Sequence, residues 1–583
     1  MNTMSGGEVI AKMLAIDGVN TVFGIIDGTY FGFYGSLGKH GIALISPRHE
    51  TSAAHMAGAY ARQTGRLGVC MASNGPGVAN VLPGLVVEQA EGNRVLCITS
   101  GRRSGLNYPD RGGAYQNFDQ SGTIARLAKW SAAVPTFERI PEVVRAALRA
   151  CWTGRPGVVH VDVPENLMNG PVPQEIAFWR REQYRSTAPK IPSPEALDRA
   201  AELLVKAGAP LIHVGSGIVH ALAFEELRKV AEILQAPVTT SWGARGALPE
   251  THDLCVPMVA VPIVRQARND ADVVLAVGAR FGETDFWGKA PYWRKPSEQT
   301  LIHVDIDGAN LGVHKPADLA VEADAKAFLT ALAPRLEARK SEIATEARKK
   351  RALGYRMAFF QAAKAHFDML SDMSVPMFTP HISVACRQVF PDETTFVIDG
   401  GNTAVWASGF MQFRKPNTAI STFKFGMLGA GVAYALGAAV ADRKRPVCCI
   451  IGDGAMGFHP QEIETAVRNA LPIVYVVVCD RQWGMVKMTQ SLQIDAAKTQ
   501  ANKRLDPEQY INADLGEIAW DKLAESMGAA GFRTGDPKEL GAILQKARGA
   551  GRCAVVHVDV DPVRHMWAPG LQDFKDMHQE PAG

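Results

Sequence analysis

Apolar residues in this chain gather in short unbroken runs separated by helix-like polar stretches. Thr395–Asp399, the run ending at Gly452, and Pro472–Cys479 each have the length and continuity of a strand buried on both faces. Between the last two lies His459–Ala470, with helical spacing and Pro460 suited to a first turn. A strand ends near Ser46, and a helix starts near Thr51. Ala53, Ala54, Ala57, Gly58 and Ala61 give that helix a small-residue face able to approach a neighbour closely. Gly68–Ala72 is another strand and runs into Gly75-Pro76-Gly77. Gly429 to Ala441 reads as a closely packed core helix, too short to span a bilayer.

A short phrase marks the larger organisation. His160-Val-Asp-Val-Pro, His303-Val-Asp-Ile-Asp and His557-Val-Asp-Val-Asp each follow an alternation of strands and helices. They read as the last strands of three successive domains. The fold class expected is α/β, with three doubly wound parallel-sheet domains at residues 1–172, 190–340 and 370–562. Pro171–Pro194 and the charged helical stretch Leu336–Met369 serve as linkers. A tail, 563–583, carries Trp567, Leu571 and Phe574 and is expected to cover the body, either as a lid or as a strap.

Composition narrows the class. The chain has 583 residues, 47 % hydrophobic and 21 % charged, with net charge +3. That excludes a disordered chain and offers no basic surface for nucleic acid or membrane. Nine scattered cysteines without a CxxC pair argue against zinc and disulfides and suit a cytoplasmic protein. The N-terminus lacks the pattern of a signal peptide.

The chemistry concentrates at Gly452-Asp453-Gly454 and at Asp480, 27 positions beyond Asp453. Two adjacent parallel strands would each deliver one carboxylate to the same sheet edge, where open α/β sheets bind ligands. Alone, the two aspartates read as turn caps, since short glycine motifs are common. As a strand–GDG–helix–strand–Asp unit they suit magnesium, which takes oxygen ligands and shares them with phosphates. Glu50 sits at a strand-to-helix junction favoured by the helix dipole. A nicotinamide dehydrogenase would need a third glycine beyond Gly215-Ser-Gly217, and a serine hydrolase would need G-x-S-x-G; neither is present.

Together, Arg48-His-Glu50, Gly75-Pro-Gly77 with Asn80, Phe118-Asp-Gln120, and Gly452-Asp-Gly454 with Asp480 resemble thiamine diphosphate enzymes of the acetolactate synthase, benzaldehyde lyase and 2-hydroxyacyl-CoA lyase type. The resemblance covers nearly the whole chain, as pyrimidine-binding, central and diphosphate-binding domains. It implies thiamine diphosphate and Mg2+ as cofactors, and leaves the central domain open to FAD, ADP or no nucleotide. Glu50 would bond the aminopyrimidine ring and promote deprotonation of the thiazolium, with Gln120 near the reacting carbonyl. Gly75, Pro76, Asn80, Asn402, Thr403, Met427, Leu428, Gly452, Asp453, Gly454 and Ala455 would line the cofactor, Leu428 as the wedge between its rings. Asp453, Asp480 and the main-chain oxygen of Gln482 would hold the metal. Thr29, Tyr30, Trp483, Val486 and Thr489 would form the substrate pocket.

The resemblance further implies a homodimer at minimum, commonly a homotetramer, acting on a small carbonyl substrate, free or as an acyl-CoA. A cofactor-binding paralogue without turnover is the non-enzymatic alternative; retention of both Glu50 and Asp453 argues against it. Cys479-Asp480 stands where the family usually has Asn-Asn. Thr489 stands where biosynthetic acetolactate synthases carry a Trp, and Arg481-Gln-Trp-Gly484 is closer to sulfoacetaldehyde acetyltransferase. Both departures point away from branched-chain biosynthesis.

Overall fold

A computed structural model describes residues 4–107, 111–173, 175–422, 424–577 and 581. They form three separate parallel sheets flanked by helices. The first sheet comprises β1 (Thr21–Gly24), β2 (Ala43–Ile45), β3 (Gly68–Ala72), β4 (Val95–Gly101), β5 (Trp130–Ala133) and β6 (Val158–Pro164), ordered β2-β1-β3-β4-β6-β5. The second comprises β7 (Pro210–Val214), β8 (Val238–Thr240), β9 (Val273–Val277), β10 (Thr300–Asp305) and β11 (Leu319–Glu322), ordered β11-β10-β9-β7-β8. The third comprises β12 (Thr395–Asp399), β13 (Ala419–Ile420), β14 (Val447–Gly452), β15 (Ile473–Cys479), β16 (Ala530–Thr534) and β17 (Ala554–Asp559), ordered β13-β12-β14-β15-β17-β16. The first and third sheets thus share one winding pattern.

The unbroken apolar runs are explained by this layering. Every residue of β14 and β15 is buried, because helices cover both faces of a parallel sheet. One expectation needs correction. His160 lies on β6 and His557 on β17, the last strands of their sheets in chain order. His303 lies on β10, and β11 follows it at the sheet edge. The run Leu319–Glu322 alternates in exposure, as an edge strand does, and so lacks the continuous apolar signal of its neighbours.

By compactness the chain divides into two units. One joins the chain up to Ala188 with Phe425–Lys444 and His459–Leu471; the other holds the rest. In the first unit the helix Ala430–Ala441 crosses the helix Glu50–Thr64. The small residues are what allow it: a Cβ on Gly437 would lie 2.3 Å from the Met56 carbonyl oxygen, and one on Gly58 would overlap the Glu88 carboxylate. In the second unit the short helices Pro562–His565 and Leu571–Asp576 bury Met566, Leu571 and then Met577, whose sulfur accepts from Trp242 Nε1 at 3.3 Å. Trp567 is half-buried, its Nε1 donating to Lys503 O at 2.8 Å; the side chain of Phe574 lies outside the described residues. All nine cysteines are buried and unbridged. Among the described residues no helix is long and apolar enough to cross a membrane.

Candidate active site

Asp453 and Asp480 follow directly on β14 and β15, which pair in parallel with Gly452 opposite Val478. Both carboxylates are buried and reach the same sheet edge. Asp453 Oδ1 accepts from Gly454 N at 2.7 Å and Oδ2 from Arg481 N at 2.8 Å. Arg481 adopts φ 55°, a left-handed conformation costly for a side-chain-bearing residue and characteristic of functional turns. Asp480 Oδ2 accepts from Gln482 Nε2 at 3.2 Å. Burial, reinforced by Asp480, pushes the Asp453 carboxyl up to about 7; burial pushes Asp480 up to about 6. Two desolvated carboxylates at one point resist ionising together unless a cation joins them.

The remaining polar atoms fit a magnesium diphosphate. Asn402, at the start of the helix Asn402–Phe410, is buried with neither side-chain amide atom bonded to protein. Such orphan atoms are rare in native interiors and mark a missing partner. A Cβ on Gly484 would meet Asp480 Oδ2 at 2.7 Å and Asn402 Nδ2 at 3.0 Å, so both groups converge on a space kept clear by a glycine. Gln482 bridges to Asp514 through Trp483 N to Ala513 O and Leu515 N to Arg481 O, and neither bond uses the Gln482 carbonyl. Among the described residues no three His, Cys, Asp or Glu side chains are grouped to hold a metal on their own. Magnesium held by two carboxylates would take its other oxygens from main chain, phosphate and water.

His565, which the sequence pattern did not single out, belongs to this cluster. It is buried, its Nδ1 lies 2.8 Å from Thr379 Oγ1, and its Nε2 lies 3.4 Å from Thr403 Oγ1 and 3.9 Å from Asp480 Oδ2. Burial pushes its pKa down to about 4, so the ring is neutral at pH 7. The signal was hidden because contact between a tail residue and a strand end is purely tertiary. Trp483 is half-buried over Gly454, whose added Cβ would lie 2.8 Å from the indole. Val486 and Thr489 are exposed one helical turn apart on Gly484–Ile494. Ala455 is buried in the turn Asp453–Met456.

The first unit carries the other predicted residues. Glu50 begins the helix Glu50–Thr64, capped by His49 Nδ1 accepting from Thr51 N at 3.2 Å. Its Oε2 accepts from Asn80 Nδ2 at 3.1 Å, and a Cβ on Gly77 would come within 3.4 Å of its Oε1. The turn presenting Glu50 is held by a residue that sequence did not reveal. Buried Glu462 accepts from Arg48 N at 3.0 and 3.2 Å and from Thr465 Oγ1 at 2.7 Å.

Gly75 has φ +66°, and a Cβ there would lie 2.7 Å from Gln116 O; Pro76 then opens the helix Pro76–Glu91. Gln120 is buried, with its amide committed: Nε2 donates to Ser100 O and to Asp162, and Oε1 accepts from Gly75 N. The exposed glutamine beside Gly75 is Gln116, at φ 53° with its carbonyl accepting from Asn74 Nδ2 at 3.0 Å. Thr29 Oγ1 lies 2.6 Å from Ser100 Oγ, and Tyr30 is buried with its hydroxyl on Ile25 O. Met427 and Leu428 are half-buried before Gly429, itself at φ +87°, so Leu428 is not a core leucine.

Family comparison agrees in all three domains. The N-terminal TPP-binding domain of thiamine pyrophosphate enzymes matches residues 4–123, the central domain 197–332 and the C-terminal TPP-binding domain 399–558. The chain is 30 % identical to the acetolactate synthase large subunit of Corynebacterium glutamicum over 569 residues, covering 94 % of this chain and 85 % of that one. It is 29 % identical to a probable acetolactate synthase large subunit of Methanocaldococcus jannaschii, covering 96 % and 92 %. It is 28 % identical to acetolactate synthase isozyme 3 large subunit of Escherichia coli, covering 97 % and 96 %. With three matched domains and a parallel-sheet layout to carry them, the chain belongs to the thiamine pyrophosphate-dependent enzymes of the acetolactate synthase type.

Proposed function

We propose that this protein is a thiamine diphosphate- and magnesium-dependent carbon–carbon lyase or ligase, acting on a 2-oxo acid or acyloin donor. The observation that carries the reading is the paired buried carboxylates Asp453 and Asp480 beside the unbonded amide of Asn402. Thiamine diphosphate, when bound, supplies an acidic carbon that adds to carbonyls and an electron sink for the bond broken or formed. Asp453, Asp480 and the Gln482 carbonyl hold the magnesium; Asn402, Thr403, Gly452, Gly454 and Ala455 border the diphosphate.

Glu50 would hold the proton shared with the aminopyrimidine, with Asn80 fixing the carboxylate's orientation. Gly75, Pro76 and Gly77 let backbone approach closely, and Met427 and Leu428 would lie against the cofactor's rings. Gln120, its donors committed, acts by holding Gly75. Thr29 with Trp483, Val486 and Thr489 shapes the substrate pocket, while Tyr30 supports it from the core. Glu50 and the metal site that serve one cofactor belong to different subunits, so a homodimer is the minimum active assembly and a homotetramer the expected one.

Thr489 in place of the Trp of biosynthetic acetolactate synthases favours a different acceptor, as in a sulfoacetaldehyde acetyltransferase or a 2-hydroxyacyl-CoA lyase. Glu50→Gln tests the chemistry: it should keep fold and cofactor yet slow turnover by two or more orders of magnitude, a typical scale for a general acid–base group. Near-normal turnover would sink the assignment. Mass-spectrometric product screening with pyruvate, benzaldehyde, sulfoacetaldehyde and a 2-hydroxyacyl-CoA identifies the substrates.

A further inference from the structure

Asp162 is a buried carboxylate on β6, 2 % exposed, and the chemistry above makes no use of it. Its bonded partners are neutral. Thr99 Oγ1 and Gln120 Nε2 both donate to its Oδ1 at 2.6 Å. Its Oδ2 is wedged against β4, where a Cβ on Gly101 would come within 2.7 Å. Behind it runs a chain with a single polarity. Ser131 Oγ lies 2.8 Å from His160 Nδ1, and His160 Nε2 lies 2.8 Å from Thr99 Oγ1. Burial keeps His160 neutral, so Ser131 donates to Nδ1, Nε2–H donates to Thr99, and Thr99 donates to Asp162. Each bond polarises the next and makes Thr99 a stronger donor to Asp162.

We propose that Asp162 is a positioning residue that acts through Gln120 on the Gly75–Gly77 turn and, beyond it, on Glu50. The Gln120 amide has one sustainable orientation. Its Nε2 faces two acceptors, Asp162 Oδ1 and Ser100 O at 2.8 Å, so a flip would set oxygen against oxygen twice. That orientation aims Oε1 at Gly75 N, 3.3 Å away. Gly75, at φ +66° and ψ −109°, occupies backbone space open to glycine alone, and this bond ties it down. Two residues on, Gly77 borders Glu50 Oε1. The Asp162 oxygen, accepting from both Thr99 and Gln120, thus fixes a neutral amide, and the amide fixes the backbone against which Glu50 rests. Sequence pointed to Asp162 only as part of a recurring strand phrase, and to Gln120 as a group facing substrate.

The inference rests on the reading that the Gly75–Gly77 turn and Glu50 hold the cofactor, and its test separates the two. Hydrogen exchange at the Gly75 amide of the cofactor-free protein reads the lock directly. Gln120→Leu and Asp162→Ala should each accelerate it at least about tenfold, and the double variant should be no faster than the faster single within about threefold, because both remove one linkage. Multiplying effects, or an unchanged Gly75 amide in Asp162→Ala, would overturn the proposal. Asp162→Asn keeps shape but puts an amide, with a single acceptor oxygen, in place of the carboxyl, and it covers the case in which the alanine variant does not fold. It should accelerate Gly75 at least about threefold while the β4 amides stay within about twofold. Equal acceleration along β4 would mean that Asp162 only holds the sheet and would also overturn the lock. Titration with thiamine diphosphate and magnesium then reads the cofactor role: faster Gly75 exchange with unchanged affinity keeps the lock and removes the turn from the cofactor site.

Discussion

Gly484→Ala isolates the space between Asp480 and Asn402. Gly484 opens the helix Gly484–Ile494 with an ordinary helical backbone, so alanine suits it conformationally and would stabilise an isolated helix. Its methyl would nonetheless meet Asp480 Oδ2 at 2.7 Å and Asn402 Nδ2 at 3.0 Å. Ordinary carbon–oxygen contact begins near 3.4 Å, so the carboxylate must retreat by roughly 0.7 Å. It has little room, being held by Gln482 at 3.2 Å with buried His565 at 3.9 Å.

Overpacking of this kind costs about 1–3 kcal/mol. In the cofactor-free protein the two side chains can relax apart, whereas a bound magnesium diphosphate demands their native positions. The cost therefore falls on binding: Kd for thiamine diphosphate with magnesium should rise roughly 5- to 150-fold at 1.4 kcal/mol per tenfold. Calorimetry measures it, alongside the melting temperature of the cofactor-free protein. Gly409→Ala, where a Cβ meets nothing within 4 Å, is the matched control. A Kd within threefold of the parent would refute the convergence of Asp480 and Asn402 on the cofactor. A large fall in Tm would place the clash in the fold instead.

Charge repulsion in the carboxylate pair gives a second test. With Asp453 raised to about 7 and Asp480 to about 6, folding favours their protonated forms, a contribution present near pH 4 and lost as pH rises through 6 and 7. Asp453→Asn should therefore raise the Tm of the cofactor-free protein at pH 8 and change it little at pH 5; the same shift at both values would refute the coupling. Removing residues 563–583 deletes the buried Met566, Leu571 and Met577, forfeiting about 1.5–3 kcal/mol each. A loss of that size rivals the stability of a whole domain, so thermal stability and turnover should fall together. An unchanged melting curve would refute the strap, and a truncation after Trp567, which keeps His565 in its cluster, then tests a lid by turnover alone.

Much was legible along the chain because it depends on local pattern. A parallel sheet covered on both faces needs unbroken apolar strands, so β12, β14 and β15 announced themselves, with Asp453 and Asp480 at the ends of two of them. Glycine-bearing turns marked Gly75–Gly77 and Gly452–Gly454 for the same reason: close backbone approach demands particular residues at particular spacings. The edge strand β11 escaped notice because half-exposure dilutes the apolar signal. What only tertiary structure decided are relations between distant segments. Pattern cannot show that Gln120 is committed to Asp162 and Gly75, nor that Leu428 is half-buried and outside the core. Nor does it show that Glu462 holds the Glu50 turn across more than 400 residues, or that His565 reaches Thr403 and Asp480. A buried polar group is defined by its partners, and in this protein the partners of Gln120, Glu50 and Asp480 come from different strands and helices that only folding brings together.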